Sequence, residues 1–418
     1  MIEDSRFTRT LVVHPHITGE KSHRSPKSRL EEAAGLAEAL DLQVMDKVIV
    51  PLRQITPATY IGKGKVTEIE ALAAQRNAKL VVMDCRLSPV QQRNLEKTWA
   101  AKVIDRTALI IEIFGARART SEGKLQVELA SLEYQKSRLV RSWTHLERQR
   151  GGFGFMAGPG ETQIETDRRM ISDRIAKIKR DLESARRTRG LHRKSRAKVP
   201  YPIIALVGYT NAGKSTLFNR LTKSKVVAED KLFATLDPTM RIIKLPSNRK
   251  AILSDTVGFI SDLPTELVAS FRATLEEVIE ADLILHVRDV SSEESDAENR
   301  DVLSVLENLG IKNKPMLEVL NKIDLIAHTQ IGEIGSGKIP ISALTGKGSG
   351  QLLQIIDKKL TGGKKIKIKI PTSEGKLIAW IYEHGEEVHA KPDSDFLQIE
   401  FKMNEKNLAR LKTESVLE

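Results

Sequence analysis

Apolar residues along this chain recur in two rhythms. From about residue 8 to 120, short apolar runs (LVVHPHI, VMDKVIVPL, LVVMD) alternate with stretches in which apolar positions return every three or four residues (SRLEEAAGLAEAL, KVTEIEALAAQRNAK, SPVQQRNLEKTWA). The first rhythm suits strands and the second helices, so residues 1–120 read as a small α/β domain. Two longer helical patterns follow. In one, Leu125, Leu129, Leu132, Leu139, Trp143 and Leu146 fall on alternate four- and three-residue steps, with Lys136 the one polar interruption; in the other, Ile171, Ile175, Ile178, Leu182 and Ala185 keep the same rhythm. Matching seams predict an antiparallel helical hairpin over 121–198. At 1.5 Å per residue, about 25 residues per helix give an arm of roughly 35 to 40 Å. At its tip, GGFGFMAGPGETQ (151–163) places five glycines in its first ten residues and displays Phe153, Phe155 and Met156. Beside Arg148, Arg150, Arg168 and Arg169 this reads as a probe that orders against a partner, with aromatics suited to stacking on unpaired bases. Thr162 and Thr166 are candidate caps of the second helix.

From 199 to 361, strand-like runs near 203–207, 241–245, 250–254, 283–288, 316–320 and 339–342 alternate with helices expected after residue 213, Pro264, Ser292 and Gly348. That order predicts a doubly wound sheet with a ligand at the carboxyl ends of its strands. After Gly363, KKIKIKI, KLIAWIYEH and DFLQIEF alternate like strands, and a short helix is expected near 404–413, giving a small α+β domain over 362–418. The chain as a whole is predicted to be α/β, and at 418 residues each domain could bury its own core.

Charge sharpens the arm's reading. The net charge is +12, and residues 174–198 hold eleven Lys or Arg against two acids, so nine of the twelve excess charges lie in one block. Concentrated basicity points to phosphate backbones. The chain shows no apolar stretch near the roughly 20 residues needed to span a bilayer. MIEDSRFTRT lacks a secretory pattern, and the lone Cys85, after LVVMD, allows no internal disulfide, so a cytoplasmic setting is expected. Cys85 itself reads as a small core residue.

The chemistry lies in four ordered segments. GYTNAGKS (208–215) follows the apolar run 203–207, as a phosphate-cradling loop must. Gly208 and Gly213, with Tyr209, Thr210, Asn211 and Ala212 between them, let backbone N–H groups face phosphates; Lys214 should reach the β- and γ-phosphates, and Ser215, followed by Thr216, offers a hydroxyl to Mg²⁺. In DTVG, Asp255 is placed to hold that ion through its water shell, Thr256 and Val257 carry the chain on, and Gly258 leaves an N–H for the γ-phosphate. A phosphate loop alone does not choose a base. In NKID, the Asp324 carboxylate can accept from two guanine donors that adenine does not pair, while Asn321, Lys322 and Ile323 brace and cover the base. Ser342-Ala343-Leu344, after Ile339-Pro340-Ile341, suits a backbone contact to the guanine oxygen.

Nearly the whole chain resembles the HflX-type GTPases. The resemblance rests on YIGKGKV, LSPVQQRNLE, VIDRTALIIEIF, RARTSEGKLQVELA, SWTHLERQRGG, GPGETQIETDRR, GYTNAGKSTLFN, LFATLDPT, DTVGFI and NKID. It implies a bacterial cytoplasmic GTPase, partly ribosome-associated, that uses Mg²⁺ with GTP, binds rRNA of the large ribosomal subunit and separates stalled ribosomes in stress. The N-terminal domain and arm would face the ribosome, with the tip near the peptidyl-transferase region. Within Phe233-Ala234-Thr235-Leu236-Asp237, the resemblance places Mg²⁺ on Thr235 as well as on Ser215. Thr235 also lies between a helix and a strand, where a γ-phosphate sensor belongs, so Lys214, Thr235 and Gly258 are the expected catalytic set. A monomer is expected in solution. Arg288 departs from a strand that is usually apolar, and the C-terminal region is the least distinctive.

Phe259 follows DTVG, where many GTPases carry a water-orienting glutamine, so slow intrinsic hydrolysis is expected, faster when a ribosome orders Thr235 and residues 255–262. GTP with Mg²⁺ should order 228–240 and 256–264. Three readings compete: a ribosome-dependent GTPase that remodels or splits its target, a nucleotide-gated binding factor that hydrolysis only resets, and an RNA-remodelling ATPase. YIGKGK (60–65) reads as a turn entering a helix, with a second nucleotide or RNA contact near Gly62 and Gly64 as the alternative.

Overall fold

Alternate residues of the first strand, β1 (Arg9–Ile17), pack into different cores: Leu11 and Val13 on one side, Val12 on the other. A strand buried on both faces belongs in a parallel sheet covered by helices. In the computed structural model, which describes residues 8–19, 23–149, 159–196, 201–224, 232–233, 239–262, 272–311, 314–327, 337–360, 364–393, 395–403 and 411, β1 sits inside such a sheet. The order is β2-β1-β3-β4, all parallel, with β2 (Gln43–Leu52), β3 (Leu80–Met83) and β4 (Lys102–Asp105). Its helices are α1 (Pro26–Glu38), α2 (Lys63–Arg76), α3 (Pro89–Trp99) and α4 (Arg106–Arg117). Ser25 caps α1, Ser88 and Gln91 form a reciprocal capping box on α3, and Asp105 caps α4 through the Ala108 amide. β4 and α4 go beyond the elements expected from the sequence. β4 has only four residues, and α4 buries Leu109, Ile110, Ile111, Ile113 and Phe114, so no polar face marks its period. Gly62 is the N-cap of α2 and Gly64 lies within it, so YIGKGK is the turn into a helix.

The hairpin is formed by α5 (Ser121–Gln149) and α6 (Pro159–Arg196), of 29 and 38 residues. Both exceed the expected 25; at 1.5 Å per residue α6 alone runs about 57 Å. Leu129, Ile175 and Ile178 are buried in its seam, with Leu125, Leu132, Ile171 and Leu182 packed against them. α6 begins at Pro159, a residue suited to the first helical turn, so Thr162 and Thr166 lie inside the helix and do not cap it. Phe153, Phe155 and Met156, expected at the tip, lie outside the described residues. Part of the basic block is neutralised across the hairpin: Arg174 pairs with Glu128 at 2.6 Å and Lys179 with Glu133 at 2.8 Å. The root of the arm is tied down by Tyr134, whose hydroxyl donates to Asp105 at 3.0 Å, and by Arg138, which reaches the same carboxylate at 3.4 Å.

The third unit is a six-stranded sheet in the order β10-β9-β8-β5-β7-β6, with β5 (Ile203–Val207), β6 (Thr239–Lys244), β7 (Lys250–Asp255), β8 (Leu283–Asp289), β9 (Met316–Asn321) and β10 (Lys338–Pro340). Only β6, at the edge, runs antiparallel to its neighbour. Helices α7 (Lys214–Thr222), α8 (Arg272–Glu280), α9 (Ser295–Asn308) and α10 (Ser349–Leu360) connect the strands. Arg288 is tolerated on β8 because its guanidinium meets Glu318 of β9, Asp296 at 2.6 Å and Ser295 at 3.2 Å.

One apolar cluster runs from Val12, Leu36, Ile110 and Phe114 into Val207, Phe233, Phe259 and Val278, so the N-terminal and nucleotide domains share a core. At the C-terminus, β11 (Lys364–Pro371), β13 (Phe396–Met403) and β12 (Glu386–Asp393) form an antiparallel sheet in that order. KLIAWIYEH, expected as a strand, is helix α11 (Gly375–His384). Leu377, Ile378 and Ile381 all face the domain core, a spacing that only a helix brings to one side. Of the helix expected near 404–413, only Leu411 is described, and it is helical and buried.

Candidate functional site

β5 lies where the sheet order reverses, with β7 on one side and β8 on the other, so the crevice at its carboxyl end is the natural ligand site of this architecture. The chain leaves β5 at Gly208, where a Cβ would stand 2.2 Å from the Val287 carbonyl oxygen. It re-enters a helix at Gly213, whose φ of +88° and a hypothetical Cβ 2.2 Å from Asn321 Nδ2 both exclude a side chain. Lys214, 6 % exposed, folds back over this loop and donates from Nζ to the carbonyls of Gly208 at 3.1 Å and Tyr209 at 2.6 Å. Burial pulls its pKa down to about 8, against the attraction of Asp255. Ser215 Oγ donates to Asp255 Oδ2 at 2.7 Å, so the two oxygen donors expected near a cation are already adjacent. Thr256 is anchored to the Leu206 carbonyl at 2.6 Å, Val257 is buried, and Gly258 lies against Thr210 and Lys214. Ala212 is buried, Thr216 half-buried and Asn211 exposed.

Asn321 joins the two halves of the site. Its Nδ2 donates to Ala212 O in the phosphate loop at 2.8 Å, and its Oδ1 accepts from the Ala343 amide at 2.9 Å, both out of contact with solvent. The adjacent Lys322 takes a left-handed conformation, φ 66°, and pairs with Asp289 at 2.7 Å. Ile323 is buried and its amide donates to Ile341 O at 3.3 Å, while Asp324 projects into solvent. Ser342 is buried, with Oγ accepting from the Thr345 amide at 3.1 Å, and Leu344 is exposed. The four segments 208–216, 255–258, 321–324 and 342–344 therefore converge as expected.

Of the segment 233–237, Phe233 is buried and meets Phe114 of α4 edge to face at 4.7 Å. Ala234, Thr235, Leu236 and Asp237 lie outside the described residues. Phe259 is 1 % exposed and packs in the shared core, so its side chain takes no part in orienting water. Sequence reasoning missed Arg220, which donates to the carbonyls of Ala343 at 3.1 Å and of Leu344, and Asp289, the partner of Lys322. Asp289, at the carboxyl end of β8, was findable, because acids at strand ends over a phosphate site are candidates by position. Cys85 is half-buried; burial, with Asp84 and Asp105 nearby, pushes its thiol well up, which suits a packing residue rather than a nucleophile.

Comparison with known proteins agrees with this geometry. Four family models match in sequence: the GTP-binding GTPase N-terminal region (residues 27–115), the GTP-binding GTPase middle region (117–196), the 50S ribosome-binding GTPase (203–322) and the HflX C-terminal domain (330–413). GTPase HflX of Magnetococcus marinus is 47% identical over 407 residues, covering 96% of this chain and 93% of that protein. This chain belongs to the HflX GTPase family. GTPase HflX of Escherichia coli is 43% identical over 379 residues, covering 89% of this chain and 88% of the relative. Among solved structures, a GTP-binding protein from Sulfolobus solfataricus in complex with GDP is 26% identical, with a TM-score of 0.45, covering 85% of this chain and 99% of that one.

As an HflX-family enzyme the chain is a GTP hydrolase, and its nucleotide domain has the GTP-binding fold. No described helix is long and apolar enough to cross a membrane. Among the described residues no group of three or more His, Cys, Asp or Glu could hold a metal. The Ser215 hydroxyl against the Asp255 carboxylate is an all-oxygen donor pair of the kind Mg²⁺ takes alongside nucleotide oxygens.

Proposed function

We propose that this HflX-family GTPase binds Mg²⁺·GTP in the β5 crevice, docks on the large ribosomal subunit, and uses its nucleotide cycle to remodel or split stalled ribosomes in the cytoplasm. The observation that carries the reading is the pair of hydrogen bonds from Asn321 to Ala212 and Ala343, which ties the phosphate loop to the loops at 321–324 and 342–344. In this reading Lys214 grips the β- and γ-phosphates, while the amides of 208–216 cradle them. Ser215 and Thr235 ligate Mg²⁺, Asp255 holds it through water, and the Gly258 amide meets the γ-phosphate. Asp324 accepts from the two guanine donors, Lys322 covers the base, and the backbone of 342–344 meets the guanine oxygen. The unit divisions at 120, 198 and 361 serve as working boundaries, and the protein acts as a monomer.

With Phe259 buried, no side chain follows Gly258 to orient the attacking water, which supports slow intrinsic hydrolysis and stimulation by the partner. The deciding measurement is single-turnover GTP hydrolysis with and without large subunits, across salt. A rate raised by subunits, lost as salt rises, supports the proposal; a rate indifferent to subunits rejects it. Charge reversal at Arg186, Arg187 and Arg189 should flatten the salt dependence of subunit binding, because each lost phosphate contact reduces the number of counterions released. The same burial of Phe259 keeps a second reading alive, in which GTP gates binding and hydrolysis only resets it. Subunit separation by wild type loaded with a non-hydrolysable analogue favours that reading, and separation only with GTP favours the first.

A further inference from the structure

A buried ionic cluster lies at the seam between the N-terminal sheet and the phosphate loop, which it reaches through the side chain of Tyr209. The Tyr209 ring packs under the Arg24 guanidinium at 4.7 Å, and its hydroxyl donates to Glu32 of α1. The same hydroxyl accepts from the Ser261 amide at 2.7 Å, while Ser261 Oγ donates to Glu32 Oε1 at 2.8 Å. Arg106, at the start of α4, donates to the Ser261 carbonyl at 2.9 Å and to Glu32. Glu32, Arg24 and Arg106 are each at most 8 % exposed. Burial would raise the Glu32 carboxyl's pKa, but Arg106, the Tyr209 hydroxyl and Arg24 outweigh it and hold it below the usual carboxylate range. It is therefore a carboxylate at neutral pH.

This cluster acts on a particular piece of backbone. Phe259 donates its amide to Gly208 O at 3.1 Å, and the Thr210 amide donates to Phe259 O at 2.7 Å, so 259–261 lies strapped along the phosphate loop. Gly258, one residue earlier, is drawn over the lysine: a Cβ there would stand 3.0 Å from Lys214 Nζ and 2.9 Å from Thr210 Cγ2. In the proposed site, a γ-phosphate that bonds both Lys214 Nζ and the Gly258 amide has to fit where the Gly258 backbone already approaches the lysine closely, whereas the β-phosphate of GDP asks for no such room. Opening that gap pulls on 259–261, and through Ser261 on Glu32 and Tyr209.

We infer that Glu32 of the N-terminal domain, through the Tyr209 hydroxyl and Ser261, is a specificity-determining residue that holds segment 258–261 down and thereby lowers the preference of the site for GTP over GDP. The inference rests on the proposed nucleotide site. Each arginine of the cluster has a second carboxylate, Arg106 with Asp84 at 2.6 Å and Arg24 with Asp301 at 3.0 Å, so Glu32→Gln leaves both paired and the seam able to form.

The test is equilibrium binding of fluorescent GDP and of a fluorescent non-hydrolysable GTP analogue to the full chain. Losing a charge-assisted hydrogen bond to the latch is worth about tenfold in the ratio of the two affinities. Glu32→Gln should tighten the GTP analogue by about that factor and shift GDP less than twofold. Tyr209→Phe, which keeps the ring over Arg24, should move the ratio in the same direction, and the double variant should add little because both changes break one hydrogen-bonded unit. An unchanged ratio, equal shifts of both nucleotides, or a weaker analogue would overturn the inference. Wild-type protein that binds neither guanine nucleotide would instead sink the site itself.

Discussion

Replacing Asn321 by Ala is the most direct probe of how the site is held together. The substitution removes one donor and one acceptor at once: Ala212 O loses a bond of 2.8 Å and the Ala343 amide one of 2.9 Å. Asn321 is 2 % exposed and Ala212 and Ala343 are 1 % and 2 %, so water cannot readily replace the missing partners. A buried group left unsatisfied costs about 1–3 kcal/mol, so the pair should cost about 3 kcal/mol, in the lower half of the roughly 2–6 kcal/mol range for two groups. Since 1.4 kcal/mol is tenfold, that is a roughly 150-fold loss of hydrogen-exchange protection for amides such as Leu217 and Ile341, which lie beside the two orphaned groups. Exchange of the nucleotide domain should show this loss locally, with the N-terminal sheet around β1 and β3 unchanged, and GDP affinity should fall with it. Asn321→Asp should fall between wild type and Ala, since it retains an acceptor for Ala343 and loses only the donor to Ala212. A protection loss under about fivefold, or one spread evenly over the chain, would show that Asn321 does not join the phosphate and base loops.

Three further outcomes follow from single residues. Gly213→Ala should abolish tight GDP binding, because a left-handed backbone at φ +88° and a Cβ 2.2 Å from Asn321 Nδ2 together cost about 2–4 kcal/mol, and a near-wild-type Kd by titration calorimetry would refute it. His286, 2 % exposed on β8, has its pKa pulled from 6.5 to about 4 by burial, with Arg288 and Lys214 adding and Glu318 opposing. Because the unfolded chain then takes up a proton the folded one refuses, its contribution is complete above pH 6.5 and lost as pH falls towards 4, on the order of 3 kcal/mol; urea melts of His286→Asn should lack that part of the acid slope. Ile178→Ala, at a fully buried seam position of the hairpin, should cost about 2–4 kcal/mol and lower exchange protection along α5 and α6, whereas Arg174→Ala, at an exposed pair, should change little.

The nucleotide site was legible because its chemistry is local. A phosphate loop, an aspartate at the end of β7 and a base-reading loop after β9 are each specified by a few consecutive residues, and the strands before them show as apolar runs. The arm was legible for a related reason: its seam repeats. Elements failed where the pattern lost contrast. α4 is apolar on most sides because it is buried between the two domains, and α11 combines Trp380, Ile381 and Tyr382 in a stretch rich enough in strand-favouring residues to pass for β.

The seam was hidden for a deeper reason. Glu32, Arg106 and Tyr209 are separated by 74 and 177 positions from the partners that give them meaning, and each taken alone reads as an ordinary surface charge or loop aromatic. Burying Arg24 and Arg106 is costly unless every charge is met, and a hydrophobic isostere would serve a static interface at least as well. A buried ionic cluster placed where Ser261 and Tyr209 run side by side makes physical sense for an interface that has to be taken apart and remade. The edge-to-face contact of Phe114 with Phe233 adds a second tie between α4 and the nucleotide domain. The shared core and the ionic seam join the N-terminal domain to the backbone around Gly258, so the coupling is reciprocal: if Glu32 sets the preference for GTP over GDP, the bound nucleotide must shift the seam by the same free energy.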